Sequence, residues 1–115
     1  MQLCITAQGP TLDSPFEHHF ARAPYFIFCD TATGKQDTVR NGFVASDAGL
    51  GRNAVDLLKQ NGLEAVITGE TGEHAKCLLE GAGIRICRFE GTGTARDALN
   101  AVIASYRTTG TVHPI

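Results

Sequence analysis

The sequence predicts one α/β domain: a mixed five-stranded sheet, an antiparallel meander followed by parallel αβ units, with three helices. Three observations predict it. Apolar residues run in short strand-like blocks up to Ala45 and then switch to helical spacing after Ser46. The connections around Tyr25–Asp30 are short, which suits antiparallel neighbours. A unit of helix end, glycine, strand and Thr-Gly loop occurs twice: LLKQNGLEAVITGETG (Leu57–Gly72) aligns with LLEGAGIRICRFEGTG (Leu78–Gly93) at an offset of 21 residues. Two such units in succession imply parallel strands joined by right-handed crossovers.

Taken in order, Gln2–Thr6 (QLCIT) reads as a short buried strand. Ala7–Arg22 follows as a loop punctuated by Gly9, Pro10, Asp13 and Pro15. Tyr25–Asp30 (YFIFCD), aromatic and β-branched, is the second strand. Thr31–Lys35 is a turn around Gly34, and Asp37–Ala45 a weaker third strand. Ser46–Gly51 leads into a helix on Ala54, Leu57, Leu58 and Asn61, with Gly62 placed to end it. Glu64–Thr68 is a strand, and Gly69–Gly72 (GETG) a loop in which Thr71 is an N-cap candidate. Ala75, Leu78, Leu79 and Ala82 form the stripe of a second helix, stopped by Gly81 or Gly83. Ile84–Phe89 is the last strand. Thr94 and Asp97 form a T-x-x-D capping pattern for a third helix carrying Leu99, Val102, Ile103 and Tyr106. The expected organisation is one domain over residues 1–107 and a flexible tail over 108–115.

The 115 residues are enough for one core, and a net charge of −2 gives no basic field for duplex nucleic acid. No apolar run approaches the ~20 residues of a membrane span, and the N-terminal residues lack a secretory pattern. The four cysteines form no C-x-x-C pair, so a zinc ribbon has no support. Three of them lie in apolar strand-like runs, and the expectation is buried free thiols in a reducing cytoplasm.

With the first strand beside Glu64–Thr68 and parallel to it, three loops meet at one edge: Ala7–Arg22, Gly69–Gly72 and Glu90–Gly93. Ligands in open α/β sheets bind at the carboxyl ends of strands. That edge brings His18, His19, Arg22 and Glu70 together with glycine and threonine donors, a pocket suited to a compact anion. Each feature has a plainer account. Adjacent histidines in an extended segment point to opposite sides, and both read equally as loop residues without a ligand. Arg22 is equally explained by a pair with Glu17 or Asp13. GETG is more often only a tight turn and lacks the phosphate-loop signature. Cys29 reads as core. The chain has no G-x-S-x-G elbow and no H-E-x-x-H. Meander followed by parallel αβ units is the ribonuclease-H-like order, but a two-metal nuclease needs a carboxylate on the first strand, and QLCIT has none.

Two segments resemble a known family. SPFEHHFARAPYF is similar to the "HFGRAPYF" segment of the dinitrogenase iron–molybdenum cofactor biosynthesis domain family. AVITGETGEHAKCLLEGAGIRI is similar to its "AVI-G-x-G-x-x-A-x-x-x-L-x-x-AGI-V" segment. The resemblance spans Leu3 to about Ile103. It implies a ribonuclease-H-like domain that binds, carries or helps assemble an anionic metal–sulfide cluster, of molybdenum–copper or iron–molybdenum type, without catalysis and largely without covalent attachment. It also implies cluster-assembly proteins as partners, ATPases or radical enzymes; charge and hydropathy have already argued against nucleic acid and membrane. His19 matches the family histidine and would be the metal ligand; Arg22 matches the family arginine, and Gly69 and Gly72 the loop glycines. Glu70 and Thr71 lie between those glycines. His18, His19, Arg22 and Arg52 would form the electrostatic clamp. Ala21 stands where the family usually has glycine, and Ser46–Gly49 lacks the histidine often found there. Two rival readings are an enzyme for an anionic metabolite with His19 as acid/base, and a protein-interaction module without a small ligand.

Overall fold

The computed structural model describes residues 1–41 and 50–109, with side chains for 1–41 and 54–105. The outer half of the expected third strand, the Ser46–Gly49 lead-in, the Arg52 and Tyr106 side chains and residues 110–115 lie outside that set.

The elements are β1 (Gln2–Ala7), β2 (Tyr25–Asp30), β3 (Gln36–Arg40), α1 (Leu50–Gln60), β4 (Ala65–Thr68), α2 (Gly72–Gly81), β5 (Arg85–Arg88) and α3 (Ala95–Thr109). The sheet order is β3-β2-β1-β4-β5. β1 pairs antiparallel with β2 and parallel with β4, with Cys4 opposite Phe28 on one side and Val66 on the other. β2 pairs antiparallel with β3, and β4 parallel with β5. This is the mixed, ribonuclease-H-like sheet expected from the sequence.

Strand alternation divides the apolar residues between two cores. Leu3, Ile5 and Ala7 join Ile27, Ala65 and Ile67 beneath Ala95, Ala98 and Leu99 of α3. Cys4, Phe26, Phe28 and Val66 pack on the opposite face against α1 and α2 through Ala54, Val55, Leu58, Ala75 and Leu79. The result is a three-layer sandwich in which β1, β2 and β4 are buried and the edge strand β3 is exposed.

The sequence repeat is a structural repeat. Gly62 and Gly83 take φ of +70° and +76°, and in each unit the residue after the glycine donates back to the leucine five positions earlier: Leu63 N–H to Leu58 O at 3.2 Å, Ile84 N–H to Leu79 O at 2.9 Å. These are matching glycine-terminated helix ends. Gly83 rather than Gly81 therefore makes the second stop.

Some boundaries differ from expectation. β3 is described as far as Arg40 and is followed by Asn41, whose backbone N–H still donates to Pro24 O at 2.9 Å. The buried Asn41 side chain donates to the carbonyls of Ala21 and Ala23, at 3.2 and 2.9 Å. Thr71 holds the N-cap position of α2 but caps nothing with its hydroxyl: its backbone is helical (φ −112°, ψ −22°) rather than extended, which turns the oxygen away from the first-turn amides. The Thr94–Asp97 pattern forms in full. Asp97 Oδ2 accepts from Thr94 N–H at 2.9 Å, and Thr94 Oγ1 from Asp97 N–H at 3.2 Å. α3 continues to Thr109, two residues into the segment expected as tail. Cys4, Cys29 and Cys87 are buried free thiols and Cys77 is exposed.

Candidate functional site

The loop after β1 crosses the carboxyl edge of the sheet from one core to the other. Phe16 is buried in the α3-side core and Phe20 in the opposite one. Burying each ring is worth about 1.5–3 kcal/mol. Two apolar anchors four residues apart, one on each face, leave His18 and His19 at the crest, above the strand ends.

Polar contacts set that crest in place. Thr6, fully buried at the end of β1, donates its hydroxyl to Glu17 O at 2.6 Å and shares a 3.0 Å hydrogen bond with the Thr68 hydroxyl at the end of β4. Phe16 N–H donates to Gly93 O at 3.0 Å, tying the loop to the β5–α3 connection. Ala95 and Arg96 N–H donate to Ser14 O and Leu12 O at 2.9 and 2.8 Å, so this loop also caps the start of α3. Beyond Glu17 the chain runs alongside the β4–α2 turn: His19 bridges Glu70 in parallel pairing, Glu70 N–H donates to His18 O, and Phe20 N–H to Glu70 O at 2.9 Å.

Gly69 makes this approach possible. A Cβ there would stand 2.7 Å from His18 O and 2.9 Å from His18 Cβ. Its backbone is not left-handed, so the requirement is contact rather than conformation.

The two imidazoles turn toward different neighbours, as adjacent residues of an extended segment do. His18 packs edge-on against Phe16, with centroids 4.9 Å apart, and its Nε2 lies 2.9 Å from Gly91 O. A carbonyl only accepts, so Nε2 carries the proton and Nδ1 of the neutral ring is left with a lone pair. His19 Nδ1 lies 3.3 Å from Glu17 Oε2, which also accepts from His19 N–H at 3.0 Å. His19 Nε2 stands 3.4 Å from Glu70 Oε2.

Between these loops opens a cleft of about 320 Å³ lined by His18, His19, Gly69, Glu70, Arg88, Phe89 and Glu90. It reaches the lower end of the usual ligand-pocket range. Arg88, at the end of β5, donates its Nε–H to Gly69 O at 3.0 Å, and its Nη1 lies 3.6 Å from Glu90 Oε1.

Of the residues singled out in the sequence, His18, His19, Gly69 and Glu70 come together here. Arg22 is exposed, and Thr71 and Gly72 lie in the adjoining turn; all three are outside the lining. Neither carboxylate suggested for Arg22 faces it: Asp13 pairs with Arg96 at 3.1 Å and Glu17 with His19. Arg88 was not singled out. The signal lay in the repeat, where a cation at Arg88 aligns with the buried Ile67 of the first unit. Among the described residues, no three of His, Cys, Asp and Glu converge as ligands for a bare ion. None of the described helices is long and apolar enough to cross a membrane.

Fold and cleft define a small ribonuclease-H-like α/β domain with a ligand-sized opening at the carboxyl edge of its parallel strands. The family model for the dinitrogenase iron–molybdenum cofactor matches residues 1–105, and the chain belongs to that family. Two solved structures are similar over most of their length. The apo form of the orange protein from Desulfovibrio gigas is 30% identical, with 99% of this chain and 92% of that chain covered and a TM-score of 0.85. A NifB-like protein of the DUF35 family from Thermotoga, solved by NMR, is 35% identical, with 92% and 89% covered and a TM-score of 0.80. No curated protein matches the chain in sequence. The family gives the chain a cofactor-related role, in binding or in biosynthesis.

Proposed function

We propose that this protein binds, carries or helps assemble an anionic metal–sulfide cluster, of molybdenum–copper or iron–molybdenum type, and holds it non-covalently in the cleft between His18–His19 and Gly69–Glu70. The cluster is cargo and the role is not catalytic. The reading places the protein in a reducing cytoplasm, with cluster-assembly proteins as partners.

The observation that carries it is the crossing of the β1–β2 loop, with Phe16 and Phe20 in opposite cores and two imidazoles presented over the edge where the parallel strands end. The cleft holds the volume of roughly ten waters at ~30 Å³ each, room for a compact inorganic cluster. The donor set suits cargo that brings its own sulfide: His18 Nδ1 offers a lone pair, and Arg88 and nearby amides offer hydrogen bonds. His19 is the residue assigned to the metal. Thr71 and Gly72, in the adjoining turn, add backbone donors in this proposal; Arg22 and Arg52 are assigned to it as charge, the Arg52 side chain lying outside the described residues.

The enzyme reading has one point in its favour, Glu17 in an orienting position on His19 Nδ1. Against it stands the family, whose role is cofactor-related.

The test is anaerobic reconstitution with tetrathiomolybdate and copper, followed by gel filtration, an absorption spectrum and elemental analysis. Colour and metal should co-elute with the protein and be largely lost in the His18→Ala/His19→Ala double variant. A folded double variant with undiminished colour and metal content would overturn the proposal.

A further inference from the structure

The cleft has an electrostatic feature that the cargo reading does not by itself explain. Arg88 is its one unconditional cation among the described residues, and it is outnumbered by the lining carboxylates Glu70 and Glu90. An empty site of that composition repels anions.

The geometry resolves this. Arg88 has five N–H donors. The Nε–H is spent on Gly69 O at 3.0 Å, which fixes the root of the guanidinium to the same glycine that admits the histidine loop. Among the described residues the Nη groups have a loose pairing with Glu90, at 3.6 Å. His19 Nε2 is likewise matched to Glu70 at 3.4 Å. Both carboxylates sit on exposed surface side chains, 72% exposed for Glu70 and 78% for Glu90, whereas the Glu17 side chain on the far side of His19 is only 18% exposed. Exposed pairs of this kind are worth about 0–1 kcal/mol and separate easily.

We infer that Arg88 is the anchoring cation of the cleft, and that Glu90 and Glu70 are internal stand-ins for the anion, holding Arg88 and His19 until cargo displaces them. Loading is an exchange: Glu90 swings into solvent and an anionic oxygen or sulfur takes its place on the Arg88 Nη donors, while Glu70 withdraws and uncovers His19 Nε2. Glu17 and Gly69 O do not exchange and keep His19 and Arg88 aimed. The inference deepens the cargo reading and rests on it for the identity of the anion.

The experiment uses molybdate, a simple dianion, titrated into the ¹⁵N-labelled full chain while the Arg88 Nε–Hε and His19 amide signals are followed. Both should shift in saturable fashion. Glu90→Gln and Glu70→Gln should each tighten binding roughly two- to fivefold. Arg88→Gln should weaken it about tenfold or more, with Arg88→Lys intermediate because it keeps the charge but loses the bond to Gly69. Thermal unfolding of each variant separates these effects from loss of fold. Molybdate that leaves Arg88 unmoved, or carboxylate variants that bind no tighter than the parent, would overturn the inference. If molybdate behaves as expected while tetrathiomolybdate and copper are not retained, the cargo reading fails and the assignment of Arg88 stands.

Discussion

Replacing Gly69 by alanine adds one methyl group at the tightest point of the site. The new Cβ would lie 2.7 Å from His18 O, 2.9 Å from His18 Cβ and 3.0 Å from His18 Cα. These are backbone and near-backbone atoms, so no side-chain rotation relieves the clash. The loop cannot lift away cheaply either, because Phe16 and Phe20 fix it on both sides and Glu70 N–H is bonded to His18 O. The strain therefore stays in the native state, at about 1–3 kcal/mol for overpacking of this kind. For a domain of this size that is a fall in Tm of about 5–15 °C. The control is Gly81→Ala, at the end of α2, where a Cβ meets nothing within 4 Å and φ is ordinary; it should be neutral or slightly stabilising. The assay is thermal unfolding by circular dichroism, with amide shifts to localise the change around His18, His19 and Glu70. A Gly69→Ala protein as stable as the parent, with those amides unmoved, would refute the close packing of the two loops.

Three further outcomes are expected. Thr6→Val removes the donor to Glu17 O and the partner of Thr68, and should cost about 1–3 kcal/mol in denaturant unfolding while shifting the His19 amide. Native protein at pH 8 should show one fast thiol toward a disulfide reagent, Cys77, with the other three appearing only on unfolding, because Cys4, Cys29 and Cys87 are buried. Burial pushes the Cys87 thiol from 9.0 up to about 11, so the unfolded thiol ionises first; its contribution is intact below pH 9 and is lost between about pH 9 and 11, and Cys87→Ala should flatten the alkaline fall in stability over that window.

Most of the fold was legible because it rests on local, periodic signals. The 21-residue repeat fixed two αβ units, and the glycines that end their helices behave alike. The parallel pairing of β1 with β4 followed from chain order, and it is this pairing that sets His19 beside Glu70. What escaped the sequence was tertiary. Asn41, just after β3, ties the chain to carbonyls twenty and eighteen residues earlier, which no strand propensity registers. Thr71 has the right residue type for a cap but the wrong backbone angles. Arg88 joins the cleft through a bond to Gly69 O between two parallel strands, a contact that sequence spacing does not show; Glu90, its ion-pair partner, follows two residues on at the same end of β5. The phenylalanines on either side of the histidines read as generic apolar residues; only their separation into two cores shows why the histidines stand at the rim.

The most direct measurement is a comparison of amide spectra of the protein with and without a reconstituted molybdenum–copper sulfide cluster. The largest changes should fall at His18, His19, Glu70 and the end of β5, with the exposed edge at β3 unmoved. Changes centred on β3 or on α3 away from the cleft, with His19 and Glu70 unaltered, would contradict the account.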